Sequence, residues 1–359
     1  MSGILKLPNA DTFRGLFGLL SGGGLKPFSQ DIAFRAVEGI EKPFAPRYER
    51  YIRPKVEQFE ERRITALKSL GIRLLVTIGV LTVVIFATSF AFFLNEAQKI
   101  SDEVFAVVFY GSIGAVMGVV WWTSRPVVKY RSSVKSKIYP LVFKYFGPDF
   151  VYRERGALSA RSVKESGIIP DFEDEEREDY VRGSWKDVRL ELTETKLTEE
   201  QGSGKNRRTV TLFQGLLIVL TMNKKFSGRT IVKRDFGKVL NWLTDKFDRK
   251  LEAVRLEDPR FERKFEVYST DQVEARYLLT PTFMERLMEL RAVFNNAPIQ
   301  ASFFDDKLLL TIETGKDRFE TASIFRPATF VGEINTILDE MPAIFRIIEV
   351  LKLDQRTGL

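Results

Sequence analysis

Residues 72–94 read IRLLVTIGVLTVVIFATSFAFFL, and residues 104–123 read VFAVVFYGSIGAVMGVVWWT. The first stretch carries one charge, Arg73, at its edge, and the second carries none. About 20 apolar residues in a helix cross a hydrocarbon core of roughly 30 Å. Both stretches meet that length and predict two membrane spans, 72–94 and 104–123. Only residues 95–103 separate them, so the pair reads as a transmembrane hairpin with a short turn.

The flanking charges predict its orientation. Arg47, Arg50, Arg53, Lys55, Arg62, Arg63, Lys68 and Arg73 precede or open the first span, and Arg125, Lys129, Arg131, Lys135 and Lys137 follow the second. The turn has Lys99 against Glu96, Asp102 and Glu103. Basic residues concentrate on the cytoplasmic side. Both termini are therefore expected in the cytoplasm, in a multi-pass arrangement. The interior polar groups are Thr77, Thr82, Thr88, Ser89, Tyr110 and Ser112. A transport pathway usually buries an ionisable group at mid-membrane, so the spans read as an anchor. Gly111, Gly114 and Gly118 are candidate helix-packing residues, because small residues let helices approach closely. They fit either packing of the two spans on each other or a homodimer. Trp121 and Trp122 fall where the second span meets the cytoplasmic interface.

Composition bounds the chemistry. The 359 residues include 55 Lys and Arg, 48 Asp and Glu, no cysteine and no histidine. This removes disulfides, thiolate nucleophiles, cysteine metal sites and the commonest general base and metal ligand. No metal or cofactor is expected. The first residues show no basic start followed by an apolar core, so no cleavable signal peptide is expected. The net charge of +7 sits mainly beside the spans, where topology explains it, so nucleic-acid binding is not expected.

The rest of the chain falls into segments. Residues 1–43 read as flexible or interfacial. Within them, Phe13, Leu16, Phe17 and Leu20 have helical spacing suited to a bilayer surface or to a protein surface. Residues 44–150 read as stalk helices around the hairpin, with Pro54 marking a kink or a start. Residues 151–180 read as an acidic linker, because Asp171–Asp179 (DFEDEERED) is a charge run. Residues 181–359 read as a cytoplasmic antiparallel β domain. Strands are expected over 187–197, 209–222, 228–234, 264–269, 299–304 and 307–313. Thr280-Pro281 opens a helix with Thr as cap and Pro in its first turn. A last helix over 328–353 carries an apolar stripe and Pro342. Gly202-Ser203-Gly204-Lys205 lacks the spacing of a phosphate loop and reads as a hairpin turn. The fold class is α+β. Its element order suits a pleckstrin-homology-like arrangement closed by a C-terminal helix.

Residues 264–290 (KFEVYSTDQVEARYLLTPTFMERLMEL) resemble an uncharacterised bacterial membrane protein family, domain of unknown function three-one-three-seven. Asp179–Gly183, Thr211–Leu216, Gly228–Val232 and Ser302–Asp305 resemble its other blocks, and so does the twin-span hairpin. The resemblance covers roughly residues 45–320 and has no catalytic set to carry over. It implies the bacterial cytoplasmic (inner) membrane. It also implies a complex with LemA-type helical membrane proteins, which are often encoded nearby.

Asp271, Glu274 and Arg276 are the most chemical-looking group, but helix capping and pairing account for them. No enzyme is expected. Arg207, Arg208, Lys224, Lys225, Arg229, Lys233 and Arg234 are a candidate anionic-lipid or partner patch, provided they share one edge. The favoured function is a membrane-anchored scaffold or adaptor that recruits a protein partner. A lipid-headgroup-binding module at the inner leaflet is the alternative.

Overall fold

In the computed structural model, each apolar stretch forms part of a longer helix. The structure describes residues 33–37, 39–202, 207–222, 225–234, 251–315 and 324–356. The amphipathic stretch 12–20, Ser203–Lys205 of the expected turn, and Lys224 lie outside the described residues. The chain divides into two compact units. The described residues of Glu49–Val134 and Thr321–Phe330 form one, and those of Ala33–Tyr48, Lys135–Glu320 and Val331–Leu359 form the other.

Helix α1 (Phe44–Arg47) and a π-helical turn (Tyr48–Ile52) precede α2 (Arg53–Glu96). Pro54 sits in the first turn of α2, where a missing N–H costs nothing. The expectation that it marks a start is met. Helix α3 (Asp102–Lys137) runs on through Pro126. Both are long and apolar enough to cross a membrane. The threonines inside α2 are satisfied locally. Thr82 donates to the Ile78 carbonyl at 2.9 Å and Thr88 to the Val84 carbonyl at 2.8 Å. Thr77 and Thr123 share a buried hydrogen bond of 2.6 Å between the two helices. At the far end, Asn95 Nδ2 donates to Asp102 Oδ1 at 3.2 Å across the turn.

Before its apolar stretch, α2 is tied to residues 324–330. Arg63 is buried, pairs with Glu60 at 2.6 Å, and donates from Nη1 to the Ile324 carbonyl at 2.9 Å. Glu60 Oε2 accepts the Ala328 N–H at 2.9 Å, and the Phe59 and Phe330 rings meet edge to face. Burial would raise the Glu60 pKa. The Arg63 hydrogen bonds and the Ala328 N–H outweigh it and hold the carboxyl below its usual value.

The second unit is built on an antiparallel sheet, nine-stranded among the described residues. In chain order its strands are β1 (Val151–Arg153), β2 (Asp174–Trp185), β3 (Val188–Gln201), β4 (Arg208–Thr221), β5 (Thr230–Arg234), β6 (Glu252–Ala253), β7 (Phe265–Ser269), β8 (Ile299–Phe304) and β9 (Lys307–Glu313). Their spatial order is β1-β2-β3-β4-β9-β8-β5-β7-β6. Among the described residues β1 and β6 do not pair, so the order is open rather than a closed barrel. Besides α1, the helices of this unit among the described residues are α4 (Tyr139–Phe143), α5 (Pro259–Glu262), α6 (Gln272–Leu278), α7 (Pro281–Val293) and α8 (Val331–Arg356).

Strand alternation divides the core between the two faces of the sheet. On one face lie Leu216, Ile218 and Leu220, opposite Ile312, Leu310 and Leu308. Phe303, beside Leu308, meets Phe283 of α7 at 5.5 Å, and α7 packs on α8. Helix α8 continues through Pro342, and its Ile344, Ile347 and Ile348 have no exposure. On the other face Leu217, Val219, Leu309 and Ile231 cluster with Leu158, Val163 and Ile168.

The acidic run is a correction. Residues 174–178 are not a linker but the first half of β2, paired with Thr198–Glu194 of β3. Its carboxylates serve as acceptors. Glu175 receives the Ser159 hydroxyl at 2.5 Å and the Ala160 N–H at 2.7 Å, which holds the 3-10 turn Ala160–Ser166. Lys164 pairs with Asp171 at 2.7 Å. Residues 151–180 are therefore part of the sheet unit.

Two glycines on central strands are there for close approach. A Cβ on Gly183 would lie 2.6 Å from the Phe150 ring, and one on Gly215 would collide with the Ile312 carbonyl. In contrast, a Cβ on Gly114 meets nothing within 4 Å. Gly183→Ala and Gly215→Ala are each expected to lower unfolding stability by about 1–3 kcal/mol through overpacking. Gly114→Ala should be neutral or stabilising, since alanine favours helix by about 1 kcal/mol. Denaturant midpoints of the purified full chain check this; equal midpoints for all three variants would refute the packing described.

Candidate functional site

Helix α3 ends in a buried polar cluster. Lys135, in its last turn, reaches Asp179 Oδ2 at 2.5 Å. The Tyr152 hydroxyl donates to the other carboxylate oxygen. Asp179 has no exposure. Its backbone is left-handed, φ 53°, within a register shift between Glu178 and Val181. Such a bulge re-aims one side chain, and Asp tolerates this conformation better than most residues. The Asp179 N–H donates to the Glu154 carbonyl at 3.0 Å. Glu178 lies 3.6 Å from Lys135. Burial works against the Lys135 charge, but the Asp179 carboxylate outweighs it and the ammonium pKa rises. Burial, then the Asp179 charge, also pushes the Tyr152 hydroxyl up. Within the second unit, this cluster ties Lys135 to the strand β2 that carries Asp179.

A cleft of about 600 Å³ lies in the same unit, walled by Pro43, Pro46, Tyr145, Phe146 and Trp185 with Lys42 and Arg47 at its side. Trp185 stacks on Phe345 with ring centroids 4.1 Å apart. The Tyr145 hydroxyl donates to the Lys42 carbonyl at 2.8 Å, and Arg47 Nε donates to the Leu141 carbonyl at 2.9 Å. The cleft is half open, with three aromatic side chains along its wall.

Among the described residues, the members of the candidate basic patch do not gather on one edge. Arg208 pairs with Gln201 at one end of β4, and Arg207 ion-pairs with Glu200. Thr230 of β5 lies level with Leu220 at the other end, through Phe303 and Leu308. At roughly 3.4 Å per residue Arg208 and the residues of β5 are about 27–40 Å apart along the strand direction, Arg234 being the nearer end. β9 and β8 also stand between β4 and β5. Lys233 is buried, and burial pushes its ammonium down to about 8 despite Glu266. Burial also lowers the Arg229 pKa. Lys225 is exposed, and Arg234 ends β5.

Asp271 caps α6, accepting the Val273 and Glu274 N–H groups at 2.9 Å each. Glu274 accepts the Ser227 and Gly228 N–H groups at 2.6 and 2.7 Å. Arg276 donates to the Gln272 carbonyl and side chain rather than to an acid. The capping expectation is met, and the pairing expectation is not. Thr280 caps α7 through the Phe283 N–H at 3.2 Å, as expected.

Gly111, Gly114 and Gly118 do not pack the two long helices together. A Cβ at any of them would meet open space. Within the apolar stretches 72–94 and 104–123 the buried positions are Thr77, Ala91 and Thr123, which places the glycines off the shared face. At the same end as Thr123, the Arg73 guanidinium lies 4.5 Å from the Trp122 ring and Arg125 lies 3.8 Å from the Trp121 ring.

Residues 211–353 match a family model described as Protein of unknown function (DUF3137). The match runs from β4 into α8 and reaches further towards the C-terminus than the resemblance over roughly 45–320. The Asp179–Gly183 block and the two long helices lie outside it. No curated protein matches the chain. Among solved structures, the crystal structure of the mycobacterial trehalose monomycolate transport factor A, TtfA, is similar at 10% identity. The likeness covers 54% of this chain and 88% of that one with a TM-score of 0.30, which is too slight to carry an argument.

Asp179→Ala is expected to cost about 3 kcal/mol, because it strands the Lys135 ammonium in a buried site. Replacing both with apolar residues, Lys135→Met with Asp179→Leu, should cost less than the single change. Since the Lys135 pKa is raised on folding, its contribution is complete below the ordinary value of 10.5 and is lost as pH rises through the higher folded value. Unfolding curves at pH 8 and above pH 10.5 check both points. A wild-type alkaline loss that persists undiminished in Asp179→Ala would refute the assignment.

Proposed function

We propose that this chain is a membrane-anchored scaffold whose sheet unit recruits a protein partner at the cytoplasmic face. One observation carries the anchor. Most large apolar side chains in the stretches 72–94 and 104–123 of α2 and α3 are exposed, Phe86 to 75% and Val107 to 73%. A helix that is apolar all round and uncovered needs a non-aqueous surrounding. The hydroxyls along α2 bond back to its own carbonyls, which suits a medium with no water to satisfy them. Cations flank both apolar stretches on the side away from the 97–101 turn, which supports cytoplasmic termini; a bacterial inner-membrane location is what the family resemblance implies.

The aromatic cleft beside Trp185 supports recruitment of a partner, since it offers a shaped surface on the sheet unit. The implied LemA-type partner belongs to this reading. The alternative, lipid binding by the sheet unit, has less support, since Arg207 and Arg208 stand at the opposite end of β4 from Lys225 and Arg229.

The cysteine-free sequence makes the topology directly testable. Lys99→Cys in sealed spheroplasts should react with a membrane-impermeant maleimide. Thr209→Cys should react only after permeabilisation. Labelling of Thr209→Cys in sealed cells contradicts the orientation. Affinity purification of the intact protein from solubilised membranes tests the scaffold; an isolated, monodisperse chain speaks against it.

A further inference from the structure

The end of the helix pair nearest Thr77 and Thr123 has a composition unlike the rest. Two arginines, one on each helix, lie over two neighbouring tryptophans: Arg73 over Trp122 at 4.5 Å and Arg125 over Trp121 at 3.8 Å. Arg73 Nη1 also donates to the Trp122 carbonyl at 2.5 Å, which locks it to the opposite helix. The indoles stay 42% and 38% exposed. Lys68 and Lys129 extend the positive charge beyond the arginines. No Asp or Glu occurs anywhere from Arg62 to Asn95 or from Val104 to Lys137. Neither helix therefore supplies a carboxylate to neutralise this collar. The opposite end differs, since Glu96, Asp102 and Glu103 stand there beside Lys99.

A guanidinium resting on an indole uses its face for cation–π attraction and keeps its N–H edge for an anion. Its fork matches two phosphate oxygens. Directly beside the arginines the surface is apolar, with Ile72, Leu75 and Met117 exposed. A ligand that satisfies both features has a phosphate joined to hydrocarbon chains. We infer that the Arg73–Trp122 and Arg125–Trp121 collar binds the phosphate of an anionic phospholipid, with the acyl chains against the neighbouring apolar side chains. This rests on the membrane reading above. It moves lipid recognition from the sheet unit to the helix pair.

The test uses the full chain reconstituted in an equimolar mixture of phosphatidylglycerol and phosphatidylcholine and then released for native mass spectrometry. Wild type should retain phosphatidylglycerol over phosphatidylcholine by about fivefold or more, the scale of one added basic contact at a membrane surface. The Arg73→Gln/Arg125→Gln variant should retain the two equally. Lipids brominated on their chains should quench tryptophan fluorescence in both proteins. Absence of quenching in wild type overturns the membrane reading, and this site with it. Quenching without phosphatidylglycerol enrichment, or enrichment that survives in the double variant, overturns the site and leaves the membrane reading standing. Excess inorganic phosphate should not displace the retained lipid; displacement would mark a free-anion site and overturn the lipid assignment.

Discussion

Uncovered apolar surface is the constraint on which the rest of this molecule turns. Helices α2 and α8 are both rich in Ile, Leu, Val and Phe. In α8 those side chains are covered by α7 and the sheet, and Ile344, Ile347 and Ile348 have no exposure. In α2 the equivalent groups, such as Val83, Phe86 and Phe93, stand outside. The difference lies in the environment each helix requires. A covered helix supplies a core to a water-soluble unit. An uncovered one needs a surrounding as apolar as itself, and charged groups are then confined to its ends. Arg73 and Arg125 obey that rule, as do Glu96 and Asp102 at the turn.

Within each unit, a buried ion pair joins segments distant in sequence. In one, Arg63 and Glu60 hold the Ile324 carbonyl and the Ala328 N–H. In the other, Lys135 meets Asp179, which Tyr152 also binds. Such pairs add little net stability over apolar packing, but breaking one partner is costly. We read them as devices that select one register and one helix end position. The left-handed Asp179 strengthens that view, because the bulge places a carboxylate where regular alternation would not.

Much of the strand pattern was legible from residues alone. Ile299–Phe304 alternates Ile299, Ala301 and Phe303 with Gln300 and Ser302, and Lys307–Glu313 is a largely apolar run between charged ends, so the hairpin around Asp305-Asp306 was readable. Thr280-Pro281 announced its helix. The acidic run misled because charge density reads as solvation. Its carboxylates instead accept hydrogen bonds from Ser159 and Ala160, a tertiary pairing that no local pattern announces. Asp179 was hidden in that run; its adjacency to an aromatic, Tyr180, in an otherwise charged stretch was the available signal. The basic patch failed for a related reason. Closeness in sequence between β4 and β5 did not become closeness in space, because β9 and β8 enter between them. Glycine spacing marked a smooth helix face without saying which way it points.

The most direct test of the anchor is extraction of native membranes with alkaline carbonate, which strips peripheral proteins and leaves integral ones. The account predicts that the full-length chain stays in the membrane pellet and is released only by detergent. Recovery of the folded chain in the carbonate supernatant would contradict it, and would require a protein partner to cover the apolar sides of α2 and α3.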